Sequence, residues 1–216
     1  MKESNKLTLA DLVKEFRIST GIIFLIVCCT NLIIWSTFVQ FDITHFILPK
    51  GVFSGEKLNY KDFLYTYKII PQIPIVIFVG ALLGRKYGII SILLYIILGL
   101  FVIPVFAIGG GARYIFEYGF GFILAYIPAV FFADSILKSG FSNKNMLKAS
   151  FVGVLTIHLI GILYMLFIAS LKHEGLNFIT GWIAAQSGLK IAYDFVLSFA
   201  LVFVAKYARI LFWIYG

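Results

Sequence analysis

A run of glycines followed by an arginine is the part of this chain whose chemistry best suits a small-molecule site. The segment Gly-Gly-Gly-Ala-Arg-Tyr covers residues 109–114, and apolar segments of membrane length lie on both sides of it. Because glycine has no side chain, the backbone at Gly110 and Gly111 can approach a ligand closely. Arg113 adds a cation at the mouth of a membrane bundle, where charge is rare and usually functional. The pattern predicts a ligand site in a membrane protein.

An acidic residue inside the last apolar segment is the second chemical feature. Asp194 lies about a turn and a half into a predicted helix, where an ionised side chain is costly unless it faces a cavity or a partner. Lys190 precedes it by four residues, which places both side chains on one helix face. The spacing fits a binding site, and it fits an ordinary ion pair within one helix equally well.

The elements that must position these residues are membrane-spanning helices. The chain of 216 residues is 61% hydrophobic and only 13% charged, whereas a soluble domain carries about 25% charged residues. Six apolar segments have lengths compatible with spans, although the second is short and begins in the irregular sequence IPQIP. They cover approximately residues 18–39, 69–83, 88–108, 119–137, 149–171 and 189–213. We therefore predict an all-α, six-helix transmembrane bundle.

The positions of basic residues predict the orientation of this bundle. Arg85 and Lys86 lie between the second and third predicted spans, and further lysines lie between the fourth and fifth, in the range 138–148. Because short cytoplasmic loops are enriched in Lys and Arg, we expect both termini in the cytoplasm. The net charge of +8 then indicates contact with anionic lipid rather than with nucleic acid.

The whole chain, 1–216, is expected to form a single domain with two accessory segments. Residues 1–17 place apolar side chains such as Leu9 and Phe16 on one helical face, which predicts a cytoplasmic helix lying in the membrane interface, with docking on a partner as the alternative. Residues 40–68 form one long outer loop. This loop is expected either to act as a lid over a site or to be disordered.

An ordered series of motifs in the middle third of the chain resembles the BioY family. Within residues 70–133 the series is Leu-Gly, Leu-Gly, Pro-Val-Phe, Gly-Gly-Gly and Gly-Phe-Gly-Phe, and the last helix shows a weaker likeness. Members of this family are the substrate-binding membrane subunits of biotin transporters of the energy-coupling-factor type. The resemblance implies a six-helix fold that binds biotin from outside, near the outer membrane surface.

The resemblance also assigns roles to the charged residues. Biotin has a ureido ring with two N–H donors and a carboxylate that requires a cation. Asp194 is then the expected acceptor for the ureido hydrogens. Family members carry a lysine three residues after this acid, where this chain has Leu197, so Lys190 is expected to replace that cation. Arg113 pairs with the biotin carboxylate or Asp194, or instead reaches lipid headgroups or Glu117.

Uncharged candidates complete the expected site. Tyr114 and Tyr193 line an apolar slot for the biotin rings, or else pack in the core or the lipid belt. Gln72 hydrogen-bonds the ligand or satisfies the irregular start of its helix. Relatives carry a polar residue near the glycine run and a cation near the following motif, where Ile108 and Ile123 stand here. Because of this departure, another vitamin remains an alternative substrate.

The resemblance implies biotin uptake without catalysis. The chain has no Walker-type GxxxxGK[ST] motif, so ATP would be used by partner ATPase subunits, together with a transmembrane coupling subunit. No cofactor or metal is expected in this chain, and an intramembrane enzyme is the least favoured alternative. The small residues Gly80, Ala81 and Gly84 are expected to contact a partner helix. The expected location is the inner, cytoplasmic membrane.

Overall fold

The computed structural model describes residues 19–49, 51–55 and 57–215, most of which are helical. The predicted interfacial helix over residues 1–17 lies outside this range. The main helices are α1 (Thr20–Phe38), α2 (Gln72–Phe101), α3 (Phe120–Leu137), α4 (Asn143–Leu171), α5 (Leu176–Ser187) and α6 (Lys190–Tyr215). A helical turn at Gly51–Ser54 and 3-10 helices at Tyr60–Phe63 and Ala112–Phe116 lie in the connections.

The helices confirm the predicted membrane class. In the described part of the chain, five segments are long and apolar enough to cross a membrane: α1, α2, α3, α4 and the segment Leu176–Phe212, which contains α5 and most of α6. The predicted bundle of membrane-spanning helices is therefore correct. The count of six spans and the placement of both termini in the cytoplasm stay predictions.

Helix α2 is a helical hairpin that contains the second and third predicted spans. Gly84 interrupts it with φ 73° and ψ 178°, a conformation that glycine adopts without a steric penalty. A Cβ added to Gly88 would lie 3.3 Å from Gly80 Cα, although about 12 Å would separate these residues along a straight helix. The two arms therefore run back to back, and Gly84 forms the turn between them.

The third predicted span extends too far, because α2 ends at Phe101 rather than at residue 108. Pro104 follows, and it has no N–H group to continue a helix. The chain then folds back, and the N–H group of Gly111 donates a hydrogen bond to the carbonyl of Gly99 at 2.8 Å. This return brings the segment after the glycines to the end of the bundle.

The long loop over residues 40–68 contains a two-stranded β-hairpin that the sequence analysis did not predict. Strand β1 (Phe41–Phe46) pairs antiparallel with β2 (Leu64–Ile69), with Phe41 opposite Ile69. The hydroxyl of Tyr67 in β2 donates to the carbonyl of Ala185 in α5. The loop is therefore folded against the helices, and its predicted action as a lid stays a prediction. We call this end of the molecule the β-hairpin end.

The small residues of α2 pack within the chain. A Cβ added to Gly80 would lie 2.8 Å from Val130 Cγ2 of α3, and Ala81 is 1% exposed. The carbonyl of Ala81 accepts a hydrogen bond from Arg209 Nη1 at 3.3 Å. Gly80 and Ala81 thus serve internal helix packing, whereas we expected them at a partner surface. Gly84, the third residue of that prediction, is half-buried at the turn.

Candidate ligand-binding site

A cavity of about 520 Å³ opens at the β-hairpin end of the bundle. This volume is in the usual range for small-molecule sites. The cavity lies among the end of α1, the start of α2, the segment from Ala107 to Tyr126, helix α5 and the start of α6. Its polar and aromatic lining residues are Thr37, Phe38, Gln40, Gln72, Tyr114, Glu117, Tyr118, Phe122, Tyr126, Trp182, Gln186 and Lys190. Three of the predicted site residues, Gln72, Tyr114 and Lys190, are among them.

Lys190 links this cavity to a buried charge network. Its Nζ lies 2.5 Å from Oδ2 of Asp194, which is 0% exposed. The same oxygen lies 3.1 Å from His158 Nε2 in α4, and His158 Nδ1 lies 2.9 Å from the Ser187 hydroxyl. The predicted ion pair between Lys190 and Asp194 therefore exists, and His158 ties it to two further helices.

The geometry gives the two members of this pair different roles. Asp194 does not line the cavity, whereas Lys190 does, with its side chain 13% exposed. Among the described residues, Asp194 Oδ1 and the Ser198 hydroxyl are buried without a hydrogen-bond partner. A buried carboxylate holds a nearby cation strongly, because little water screens the interaction. Asp194 thus positions the Lys190 ammonium group at the cavity wall.

Gln72 and Tyr114 form parts of the wall near α2. Gln72 Nε2 donates to Thr37 Oγ1 at 2.8 Å and to the Tyr95 hydroxyl at 2.7 Å, so it joins α1 to the two arms of α2. Tyr114 is 7% exposed and packs on Phe106, with ring centroids 4.6 Å apart. Burial, with a smaller effect of Glu117, raises the Tyr114 pKa to about 12, which keeps its hydroxyl neutral.

Another part of the wall is aromatic and comes mainly from α3 and α5. Trp182 of α5 lies 5.7 Å from the ring of Phe122, which in turn lies 5.6 Å from the ring of His158. Tyr118 donates to Glu174 Oε1 at 2.6 Å, and that hydrogen bond raises the Tyr118 pKa to about 12. The wall offers flat apolar surface with a few polar groups at its edge.

The other predicted site residues lie outside the cavity lining. Arg113 is exposed, and in the described part of the chain it forms no ion pair with Glu117 or Asp194. A Cβ on Gly110 would lie 2.6 Å from Pro104 Cα, so the glycines shape the return of the chain. Tyr193 contacts the β-hairpin, with its hydroxyl 3.1 Å from His45 Nδ1.

Sequence reasoning missed two contributors to the cavity. Helix α5 lies between the fifth and sixth predicted spans, where the sequence analysis predicts no helix, and it supplies Trp182 and Gln186. Its 12 residues are fewer than the ~20 of a span, so a search for spans passes over it. Glu117 is the second contributor, and the sequence analysis names it only as a partner for Arg113. The four-residue spacing of these two was visible, but the sequence does not show which of them faces the cavity.

Comparison with known proteins shows the family. A model of the BioY family matches residues 13–212. This chain belongs to the BioY family. The resemblance predicted from the glycine motifs is thereby confirmed, and it extends well beyond the middle third on which that prediction rested.

Two relatives of this BioY chain carry names that indicate a transport role. A probable biotin transporter BioY from Lysinibacillus sphaericus is 31% identical over 96 residues, which are 44% of this chain and 49% of that protein. One from Pyrococcus horikoshii is 41% identical over 95 residues, which are 44% of this chain and 56% of that protein. The matches therefore span about half the length of these relatives.

A solved structure shares the fold. The S-component for biotin from an ECF-type ABC transporter superposes with a TM-score of 0.62 over 94% of this chain and 95% of that chain, at 19% identity. A likeness at this level of identity establishes the fold of the bundle. The predicted S-component-like architecture is therefore correct.

Proposed function

We propose that this BioY chain binds biotin in the cavity at the β-hairpin end, as the substrate-binding subunit of a vitamin uptake system in the cytoplasmic membrane. The observation that carries the proposal is the Lys190 ammonium group at the cavity wall, held by the buried Asp194. The names of the two relatives and the biotin S-component with the same fold support it.

The lining of the cavity suits the chemistry of biotin. Lys190 is the cation for the ligand carboxylate. The aromatic wall formed by Phe122 and Trp182 provides apolar surface for the thiophane ring and the aliphatic chain. Hydroxyl and amide groups, including those of Gln186 and Tyr126, provide hydrogen-bonding partners for the ureido ring. All of these contacts are noncovalent, so we propose binding and release without catalysis.

Energy for uptake would come from other subunits. Because the chain has no Walker-type motif, we propose that partner ATPase subunits use the ATP and that a transmembrane coupling subunit joins them to this chain. The binding subunit would capture biotin at the β-hairpin end. It would then be reoriented to release biotin on the other side of the membrane.

Another vitamin is the second candidate substrate. Ile108 and Ile123 line the cavity, at places where the family resemblance leads us to expect a polar group and a cation. An apolar pair there favours a ligand with fewer polar groups on that side. Competition of unlabelled vitamins against radiolabelled biotin compares the two candidates directly.

We expect Lys190→Gln to weaken biotin binding by about 10- to 100-fold, since a charge-assisted hydrogen bond contributes roughly 1.5–3 kcal/mol. The measurement is equilibrium binding of radiolabelled biotin to the purified protein in detergent. Lys68→Gln is the matched control, because Lys68 is exposed on β2 at the same end. A folded wild-type protein that binds no biotin would contradict the proposed function. An unchanged affinity of Lys190→Gln for biotin would show that Lys190 does not bind the ligand carboxylate.

Biotin binding is also expected to change the tryptophan fluorescence. Trp182 is half-buried in the cavity wall, whereas Trp35 is 70% exposed on α1. A ligand that covers the Trp182 indole changes its environment, so titration should give a saturable signal. Trp182→Phe should abolish that signal, and Trp35→Phe should keep it. A signal that survives Trp182→Phe would place the ligand elsewhere.

A further inference from the structure

Glu117 is a carboxylate in the cavity wall to which the fold assigns no partner. It follows the 3-10 helix Ala112–Phe116 and is half-buried. Among the residues that the structure describes, no side chain forms an ion pair with it or donates a hydrogen bond to its carboxylate. It is the only acidic residue among those that line the cavity in this part of the chain.

A half-buried, unpaired carboxylate in such a wall can gain from a compensating group. Withdrawing an ionised side chain from water is costly unless it is hydrogen-bonded or paired. Arg113, four residues earlier, is exposed and does not pair with it. The neighbouring Tyr118 directs its hydroxyl to Glu174. The oxygens of Glu117 are therefore available as acceptors for a ligand.

The two charges of the cavity wall give a bound ligand a direction. Lys190 attracts a ligand carboxylate, whereas Glu117 repels one because like charges destabilise each other. The carboxylate end of a ligand therefore lies at Lys190, and the end that carries hydrogen-bond donors lies at Glu117. A cyclic urea suits the second position, because its two N–H groups match the two oxygens of one carboxylate.

We infer that Glu117 is a specificity-determining residue that accepts the two ureido N–H groups of biotin while Lys190 pairs with the carboxylate. The inference rests on the proposed function. It gives Glu117 the part that the sequence analysis assigned to Asp194, which is 0% exposed and does not line the cavity. Asp194 then acts on the ligand only through Lys190.

Crossing protein variants with ligand analogues tests this assignment. Binding of biotin and of biotinamide, which lacks the carboxylate, is measured for the wild type, Glu117→Gln and Lys190→Gln. We expect Glu117→Gln to weaken the binding of both ligands by about 10-fold or more. Lys190→Gln should weaken the binding of biotin but leave the binding of biotinamide unchanged. Asp42→Asn is the matched control, because Asp42 is an exposed acid on β1.

A second measurement needs no variant. Biotin methylated on a ureido nitrogen should bind the wild-type protein at least about 10-fold more weakly than biotin, since one charge-assisted hydrogen bond is lost. Equal binding of biotin by Glu117→Gln and the wild type would overturn the inference while leaving the proposed function standing. Failure of the folded wild type to bind biotin would instead overturn the proposed function. Size-exclusion profiles of the variants show whether each one is folded.

Discussion

Replacement of Asp194 by leucine is expected to weaken biotin binding by about 10- to 100-fold and to lower the thermal unfolding temperature by about 10 °C. Asp194 is 0% exposed, and its Oδ2 contacts both Lys190 and His158. Removing one partner of a buried ion pair leaves a charge without compensation, which costs roughly 3–5 kcal/mol. A loss of about 3 kcal/mol corresponds to roughly 6–12 °C for a chain of this size.

The same experiment separates the two explanations that the sequence left open for this pair. An ordinary helix pair affects stability alone, whereas a site pair also affects the ligand. Lys190→Met combined with Asp194→Leu removes both charges and replaces them with apolar groups of similar size. Because such replacements are often neutral for stability, the double variant should regain most of the lost unfolding temperature. It should still bind biotin about 10- to 100-fold more weakly than the wild type, because the ligand cation is missing.

Thermal unfolding in detergent and radiolabelled biotin binding give the two readouts. An unfolding temperature of Asp194→Leu equal to that of the wild type would show that the buried pair contributes no stability. Biotin binding by the double variant at wild-type affinity would show that Lys190 is not the ligand cation. Lys138→Met with Asp134→Leu is the matched control, since this ion pair has a longer distance of 3.9 Å and lies at the far end of α3.

The sequence predicted the helices well because hydropathy is a local property. Each apolar segment needs about 20 residues to cross a membrane, so its approximate limits follow from its own composition. Exact ends depend on short-range chemistry that hydropathy does not weigh. Pro104 prevents the helix from continuing after Phe101, although the apolar residues continue to Ile108. Gly84, rather than the following basic pair, makes the turn of α2.

The candidate site was predictable only in part, because its residues meet through tertiary contacts. Lys190 and Asp194 lie four residues apart on one helix, so their spacing predicts their contact. His158 joins them from 36 residues away, and no local pattern predicts that meeting. Arg113 lies within a short 3-10 helix and Glu117 directly follows that helix, and only the packed bundle determines that Glu117 lines the cavity. Arg113, which we predicted as a site residue, is exposed and lies outside the lining.

Substitution of Gly121, which precedes the lining residue Phe122, is expected to have a severe effect on folding. A Cβ added there would lie 2.2 Å from Tyr164 Cβ in α4. Because Tyr164 Cβ is bonded to the backbone, no side-chain rotation can move it away. Helices α3 and α4 would have to separate. The same two helices also meet less than one turn away, where a Cβ on Gly161 would lie 2.4 Å from Phe122 Cδ2.

We therefore expect Gly121→Leu to unfold the protein or to lower its unfolding temperature by more than about 10 °C, since overpacking a close helix contact costs roughly 1–3 kcal/mol or more. Gly121→Ala should already show most of this loss, because the Cβ atom itself makes the clash. Gly181→Leu is the matched control, since a Cβ on that α5 glycine meets no atom within 4 Å.

The size-exclusion profile and the unfolding temperature of each variant check this ranking. If Gly121→Leu unfolds at the wild-type temperature, α3 and α4 do not approach each other as described. The consequence for binding follows from the same contact, because Phe122 lies beside Gly121 and touches the rings of both Trp182 and His158. Separating α3 from α4 displaces the aromatic wall from the charge network, so biotin binding should fall even in a variant that still folds.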